Sequence, residues 1–214
     1  MHTSKNIFTI TYKTHRLIVM NQKQISRFYR IAVFGEEKDD IKASSRRAYR
    51  DMCRTLCFKD NLTDDQKNKI YDSVVTEVII PQISKCYTIG SAADFDTWHK
   101  NVCEVIRTRY KDICTEFYYG QAQKWINMTL KYLCILNNDK VLEGIYPFLH
   151  VPIDNIIINR ALNEFGLKVP DSAWSRLDKS EYLEYQIKLI NHIKTKTVCP
   201  LDWEFDAWND GKNG

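Results

Sequence analysis

Apolar residues recur at three- and four-residue intervals along most of the chain, which is the spacing of helices that bury one face. This pattern predicts helices over residues 24–34, 41–58, 63–80, 94–115, 121–136, 153–165 and 179–196. Apolar and polar residues alternate at 7–12, which predicts a short strand or an extended arm. We expect a loop over 137–149 and an irregular tail after residue 196.

Local signals set several boundaries of the predicted helices. Thr63 begins a capping-box pattern, and Asp94 is a residue type that caps the start of a helix. Pro81 is expected to end the helix that begins at Thr63, because proline has no amide hydrogen for the helical ladder. Gly166 follows the last periodic residue of its segment, a position where glycine commonly ends helices.

The composition favours the same fold class. Glycine (7) and proline (5) are sparse among 214 residues, whereas all-β folds need many turns that use both. We therefore expect one mainly helical, all-α domain over 1–214, either undivided or split into two lobes. Seven irregularly spaced cysteines without a signal peptide indicate reduced thiols in a cytoplasmic protein. No apolar run reaches the roughly 18 residues of a membrane-spanning helix.

Charge is distributed unevenly. The first 60 residues hold 13 Lys and Arg against 6 Asp and Glu, a balance of +7; the whole chain is +4, so the remainder is −3. A basic segment suits contact with a polyanion such as nucleic acid, and a solvated basic face is an equal alternative. Arg46, Arg47 and Arg50 form the best candidate cluster for phosphate contacts.

Two residues at the starts of successive predicted helices point to chemistry. Lys124 follows the glycine of Tyr119-Gly120-Gln121-Ala122-Gln123, and Asp154 closes His150-Val151-Pro152-Ile153-Asp154. We expect both in the first helical turn, where the partial positive charge disfavours an ammonium ion and favours a carboxylate. An amine nucleophile beside an ionised carboxylate suits attack on a sugar carbon. The alternative is a solvent-facing lysine and a carboxylate that only caps its helix.

These segments resemble helix-hairpin-helix DNA glycosylases, and are most similar to the archaeal 8-oxoguanine type, which joins a Gln-Lys to a Pro-Val-Asp at a similar separation. The resemblance covers about residues 117–166, the segment expected to hold the hairpin and the catalytic pair. It implies an all-α, two-lobed fold with a cleft. It also implies that Lys124 displaces the base and forms a Schiff base, while Asp154 stabilises the cationic sugar. The sequence departs from the family pattern in having a single glycine in the hairpin.

Further residues are candidates for contact with DNA around this pair. Gly120 and Gln121 lie where a helix N-terminus can bind phosphate, and Trp174 is an aromatic side chain that can stack on an extruded base. The other candidates lie on the polar stripe of the lysine helix or just before Asp154: Gln123, Asn127, Lys131 and His150. Lys131 is also an alternative nucleophile. Each has a structural alternative, which is a core aromatic, a solvated stripe or a histidine bonded to the backbone.

We therefore predict a DNA glycosylase that removes a damaged or modified base, with or without lyase activity. We expect double-stranded DNA as the partner, a monomeric protein, and no metal or cofactor. Walker-type, Rossmann and His-Glu-x-x-His motifs are absent from the sequence. The competing hypotheses are a non-catalytic helical nucleic-acid-binding module of a defence or mobile-element system, and a helical protein-interaction domain.

Overall fold

The computed structural model describes residues 21–136 and 142–210, and this part of the chain is mainly helical, as the spacing of apolar residues predicts. Its α-helices are α1 (Gln22–Phe34), α2 (Asp40–Met52), α3 (Asp64–Val74), α4 (Ile80–Cys86), α5 (Ala92–Tyr110), α6 (Tyr119–Leu136), α7 (Asn155–Phe165), α8 (Lys179–Lys194) and α9 (Pro200–Asp210). The strand predicted at 7–12 lies outside the described residues.

The helix that begins after Thr63 does not stop at Pro81, so that prediction is wrong. Thr63 and Gln66 form the predicted capping box, and α3 then passes through a π-helical stretch, Val75–Ile79, into α4. A proline inside a helix lacks one donor and its ring clashes with the carbonyl four residues earlier. The wider π-helical turn immediately before Pro81 gives the chain the local adjustment that such a position requires.

Two predicted helices are shorter than expected, because their ends form a small sheet. The segment after α2 passes through a 3₁₀ turn into β1 (Cys57–Phe58), and the segment after α5 forms β2 (Cys114–Glu116). The two strands pair antiparallel, with Cys57 opposite Glu116. The start of α5 also differs, since Ser91 rather than Asp94 is its N-cap.

The tail after α8 is helical rather than irregular. Pro200 is the first residue of α9, where the missing amide hydrogen is no loss. Leu201, Trp203 and Ala207 bury one face of this helix, which packs on α7 and α8. None of the helices in the described ranges is long and apolar enough to cross a membrane.

The core is built around α6, in which every residue from Tyr119 to Leu133 is buried. Its most extensive contact is with α2, whose inward residues are small: Ala43, Ser44, Ser45 and Ala48 are all fully buried. Small side chains let the two helices approach closely, and the Trp125 indole donates to the Ser45 carbonyl at 3.1 Å. α5 and α8 also contact α6. Since apolar neighbours surround α6, its polar side chains must find partners inside the protein.

Candidate functional site

The polar stripe of α6 faces the protein interior. Lys124 and Lys131 are each 4% exposed, and Gln123 and Asn127 are buried as well. The alternative of a solvated stripe is therefore wrong. These side chains point toward the start of α7, toward α8 and toward α9, which supply the partners described below.

Lys124 and Asp154 meet, as the sequence predicts for a shared site. The Lys124 ammonium Nζ is 2.7 Å from Asp154 Oδ2 and 3.4 Å from the Pro152 carbonyl oxygen. The Asp154 side chain is 17% exposed against 6% for that of Lys124, so solvent reaches the pair from the carboxylate side. The ion pair is therefore buried on the lysine side and reached by solvent on the carboxylate side.

The positions of both residues within their helices differ from the prediction. α6 begins at Tyr119, which puts Lys124 in the second turn, where the charge of the helix terminus has largely faded. Asp154 is the N-cap of α7 rather than a first-turn residue, and its Oδ1 accepts from the Ile157 amide at 3.0 Å. The Asp154 carboxylate therefore has two tasks, since one oxygen caps α7 and the other binds the ammonium.

Two glutamine side chains hold the extended segment that leads into Asp154. Gln123 donates to the Ile153 carbonyl at 3.1 Å and accepts from the Ile153 amide at 3.3 Å. Gln186 on α8 does the same at Val151, donating at 3.3 Å and accepting at 2.6 Å. Each amide thus pairs with one residue of the segment as a neighbouring strand would. This bonding fixes the backbone that brings Asp154 against Lys124.

A buried polar network continues from Gln123 to the surface. Asn127 donates to Gln123 Oε1 and to the Tyr182 hydroxyl, each at 3.0 Å. The same hydroxyl lies 3.0 Å from His150 Nδ1. Because a carboxylate only accepts, His150 Nε2 carries a hydrogen and donates it to Asp96 at 2.7 Å. The Asp96 side chain is 55% exposed, so the network ends in solvent.

His99, which was not a candidate from the sequence, contacts the side-chain oxygen of Asn127. Its Nε2 is 2.9 Å from the Asn127 carbonyl oxygen, which can only accept, so Nε2 carries the hydrogen. Complete burial, aided by the nearby His150, lowers the pKa of His99 well below its ordinary value. The available signal was a histidine on the predicted inward face of α5, between Phe95 and Val102.

Lys131 forms a second buried ion pair, with Glu204 of α9. The Lys131 Nζ is 2.9 Å from Glu204 Oε1 and 2.6 Å from Oε2, the latter an ion-pair contact without hydrogen-bond geometry. The ammonium also lies 5.2 Å from the ring centroids of Phe205 and Trp208. Burial raises the pKa of Glu204, an effect that Lys131 opposes. Glu204 was not a candidate from the sequence, because its segment was expected to be irregular.

A surface pocket of about 410 Å³ opens between α6 and α9 beside this second pair. Its lining residues are Lys131, Cys134, Ile135, Tyr146, Leu201, Asp202, Phe205 and Asp206. Burial raises the pKa of Cys134 to about 12, so its thiol is protonated near neutral pH. Lys131 is the lysine that lines this pocket.

Gly120 and Gln121 are used in internal contacts. Gly120 is the second residue of α6 rather than part of a preceding turn, and its amide donates to the Leu177 carbonyl at 2.9 Å. A Cβ atom at Gly120 would lie 2.0 Å from the Trp174 carbonyl oxygen, which explains the glycine. Gln121 donates to the Thr55 carbonyl at 2.7 Å. Trp174 is half-buried against the core.

The three candidate arginines of α2 differ in their contacts. Arg47 pairs with Asp51 at 2.5 Å and lies over the Tyr132 ring. Arg46 is half-buried, and burial raises the pKa of the Tyr71 hydroxyl, an effect that the nearby Arg46 opposes. Arg50 is exposed, as is Arg54 one turn later, and neither pairs with a carboxylate of the described residues. The exposed cations on this face are therefore Arg50 and Arg54.

Comparison with known proteins gives no relative: no family model, curated protein or solved structure matches this chain. Within residues 21–136 and 142–210, no three His, Cys, Asp or Glu side chains are grouped so that they could hold a metal ion. The resemblance to DNA glycosylases thus stays a prediction from residues 117–166. The candidate functional features of the chain are therefore the Lys124–Asp154 and Lys131–Glu204 ion pairs and their surroundings.

Proposed function

We propose that the chain is a DNA-base glycosylase in which Lys124 is the nucleophile and Asp154 the assisting carboxylate. The observation that supports the proposal is the 2.7 Å contact between the Lys124 ammonium and Asp154, made by residues 30 positions apart. Each side chain comes from the segment that resembles the glycosylase motif. The Gln123 and Gln186 amides fix the approach of Asp154, which is the support that a preformed pair needs.

The chemistry starts with transfer of a proton from Lys124 to Asp154. The neutral amine attacks C1′ of the extruded nucleotide, and the base leaves with the electrons of the glycosidic bond and takes up a proton. Asp154 supplies that proton, and the carboxylate that it thereby regains stabilises positive charge on the sugar. Opening of the sugar ring then gives a Schiff base at Lys124, from which β-elimination releases the 3′ phosphate.

Access to Lys124 requires movement, since its side chain is only 6% exposed. The proposal therefore includes separation of the start of α7 from α6 when DNA binds. His150 and the half-buried Trp174 ring are the candidates near this opening for contact with the extruded nucleotide. Arg50 contributes phosphate contacts from α2, with Arg46 and Arg47 held nearby in internal contacts.

The test is borohydride trapping together with base release, on duplex DNA carrying a panel of oxidised, alkylated and deaminated bases and an abasic site. We expect a covalent adduct mapped to Lys124 and its loss in Lys124→Gln, while Lys188→Gln, which removes an exposed lysine, retains it. Base release without an adduct would assign a monofunctional enzyme in which Asp154 activates water. Neither base release nor an adduct, in protein that binds DNA, would refute the catalytic proposal.

A non-catalytic nucleic-acid-binding module is the second candidate, and it is favoured by the closure of Lys124 and by the exposed Arg50 and Arg54. Arg50 lies in the last turn of α2 and Arg54 in the 3₁₀ turn that follows, so both exposed cations lie at the same end of this helix. Each phosphate contact contributes about 0.9 to the slope of log affinity against log salt. We expect Arg50→Gln/Arg54→Gln to lower the slope by about two such contacts. Lys168→Gln/Lys188→Gln is the control of equal charge.

A further inference from the structure

The Lys131–Glu204 pair has three features that the proposed DNA chemistry does not use. Glu204 is fully buried, and it contacts the Lys131 ammonium through both carboxylate oxygens. Phe205 and Trp208 flank the same ammonium. The pocket between α6 and α9 has Lys131 in its wall. A buried amine with a carboxylate beside it, at the edge of a pocket, is the arrangement of a reactive lysine.

We propose that Lys131 forms a Schiff base with a small neutral aldehyde or ketone bound in the pocket between α6 and α9. This site is distinct from the Lys124 pair and does not depend on DNA. Glu204 first accepts a proton from the Lys131 ammonium. The neutral amine then adds to the carbonyl carbon, and the carbonyl oxygen takes up the proton that Glu204 held. Loss of water from this adduct gives the imine, so the reaction needs no oxidant or reductant.

The surroundings of Lys131 favour this assignment. Burial raises the pKa of Glu204, which makes this carboxyl a better proton acceptor than an exposed one. Cys134, the thiol in the pocket, has a pKa of about 12 and does not compete as a thiolate near neutral pH. The rings of Phe205 and Trp208 lie 5.2 Å from the ammonium and favour its charged form, so Glu204 is the group that must take its proton.

The charges at the pocket define the ligand class. Asp202 and Asp206 line it, while Lys131 is already neutralised by Glu204. The excess of two carboxylates repels phosphates, carboxylates and nucleic acid. Ile135 and Phe205, both exposed, supply an apolar wall. A short uncharged carbonyl compound fits these walls, whereas a phosphorylated sugar does not.

The experiment is limited reductive alkylation of the full chain with propanal and cyanoborohydride, followed by peptide mapping. Lys188 is the internal reference, because it pairs with Glu184 at 2.6 Å but is exposed. A positioned base commonly contributes about 10² or more to such a reaction, so we expect Lys131 to be modified at least about tenfold faster than Lys188. Glyoxylate, an anionic aldehyde of similar size, should lose this preference.

Variants of the pocket distinguish loss of the reaction from loss of the fold. Glu204→Gln should remove the preference for Lys131, while Lys168→Gln, which removes an exposed lysine, should leave it unchanged. Asp202→Asn/Asp206→Asn, two changes on the exposed rim, should increase labelling by glyoxylate. If Lys131 in the wild-type chain reacts no faster than Lys188, labelling follows exposure and the pair is purely structural. Mapping of a borohydride-trapped DNA adduct to Lys131 would also overturn the assignment of a neutral ligand.

Discussion

Lys124 and Lys131 lie seven residues apart on one buried face of α6, a rise of about 10.5 Å. Each ammonium is within 2.7 Å of a carboxylate oxygen, and each is 4% exposed. Their partners differ. Asp154 is a helix cap that reaches solvent and is held by a backbone segment clamped by two glutamines. Glu204 lies in the middle of α9 and is wholly buried, and its partner Lys131 lines an open pocket.

A short amine–carboxylate distance therefore does not by itself distinguish a reactive pair from a structural one. What differs is how each pair can be opened. Asp154 can turn toward water if the start of α7 moves, whereas Glu204 is fully buried and only its partner Lys131 lines the pocket. The Lys124 pair therefore suits a large substrate that displaces a helix end, and the Lys131 pair suits a small ligand that enters a fixed structure.

The largest difference between the pairs should appear when the lysine is removed. Lys131→Met leaves Glu204 buried without a counter-ion, which we expect to lower the free energy of unfolding at pH 7 by about 3–5 kcal/mol. Lys124→Met leaves Asp154 with its bond to the Ile157 amide and access to water, so the loss should be only about 1–2 kcal/mol. Urea unfolding measures both.

The double variant Lys131→Met/Glu204→Leu is the control for this prediction. It replaces the buried pair with apolar side chains, so it should recover most of the lost stability. Equal losses in the two single variants would show that Glu204 finds water or another partner, and that the two pairs are alike.

The features predicted correctly from the sequence are those that contacts between neighbouring residues determine. The spacing of apolar residues located α6, and Pro152 indicated the start of the next helix, which was predicted from residue 153 and begins at Asn155. Lys124 and Asp154 are in contact, although neither lies in the first helical turn predicted for it. The glycine at Gly166 ends α7 in a left-handed conformation, as expected.

The rest depends on contacts between distant segments, which local spacing cannot show. Glu204 reaches Lys131 across 73 positions, and Gln186 reaches Val151 only after α8 has packed on α6. β1 and β2 form because two helix ends happen to meet, which no alternation in either segment signals. The burial of the polar stripe likewise depends on α8 and α9 covering it.

A second prediction concerns the start of α6, which positions Lys124 but not Lys131. Gly120→Ala would place a methyl group 2.0 Å from the Trp174 carbonyl oxygen, a backbone atom that must then move. We expect a loss of about 1–3 kcal/mol in the free energy of unfolding, the range for overpacked cores. Gly90→Ala is the matched control, since nothing lies within 4 Å of the added Cβ. If both variants were equally stable, the close approach at Gly120 would not constrain α6.

The third prediction uses the network that adjoins only the Lys124 pair. The pKa of His99 is lowered on folding, so below about pH 6.5 the unfolded chain binds more protons than the folded one. Stability from His99 is therefore complete above that pH and falls by up to about 1.4 kcal/mol per pH unit below it. His99→Gln should lack this component.

Chemical unfolding between pH 5 and pH 7.5 measures the difference between the two chains. Both chains carry the same titratable groups apart from residue 99, so the difference reports on that position. Parallel stability curves for wild type and His99→Gln would mean that His99 accepts a proton without opening the core. In that case the hydrogen-bond network beside Lys124 would take up a proton at His99 while the protein stays folded.

The smallest predicted effect separates the two tasks of Asp154. Asp154→Ala removes the helix cap and the charge, whereas Asp154→Ser keeps a capping oxygen and removes only the charge. We expect the serine variant to unfold with about 1 kcal/mol more free energy than the alanine variant, which is the typical value of a cap. The remaining gap between Asp154→Ser and wild type then measures the ion pair with Lys124.

Asp178, the N-cap of α8, is the matched control because it is exposed and its side chain accepts from the Glu181 amide at 2.8 Å without a buried lysine nearby. At Asp178, the serine variant should therefore be nearly as stable as wild type, and alanine should be less stable by the same cap term. A gap between serine and wild type at Asp154 that is no larger than the gap at Asp178 would show that the Lys124 ion pair adds little stability. The carboxylate beside Lys124 would then contribute little to the stability of the fold beyond its cap, which is what a site kept for chemistry predicts.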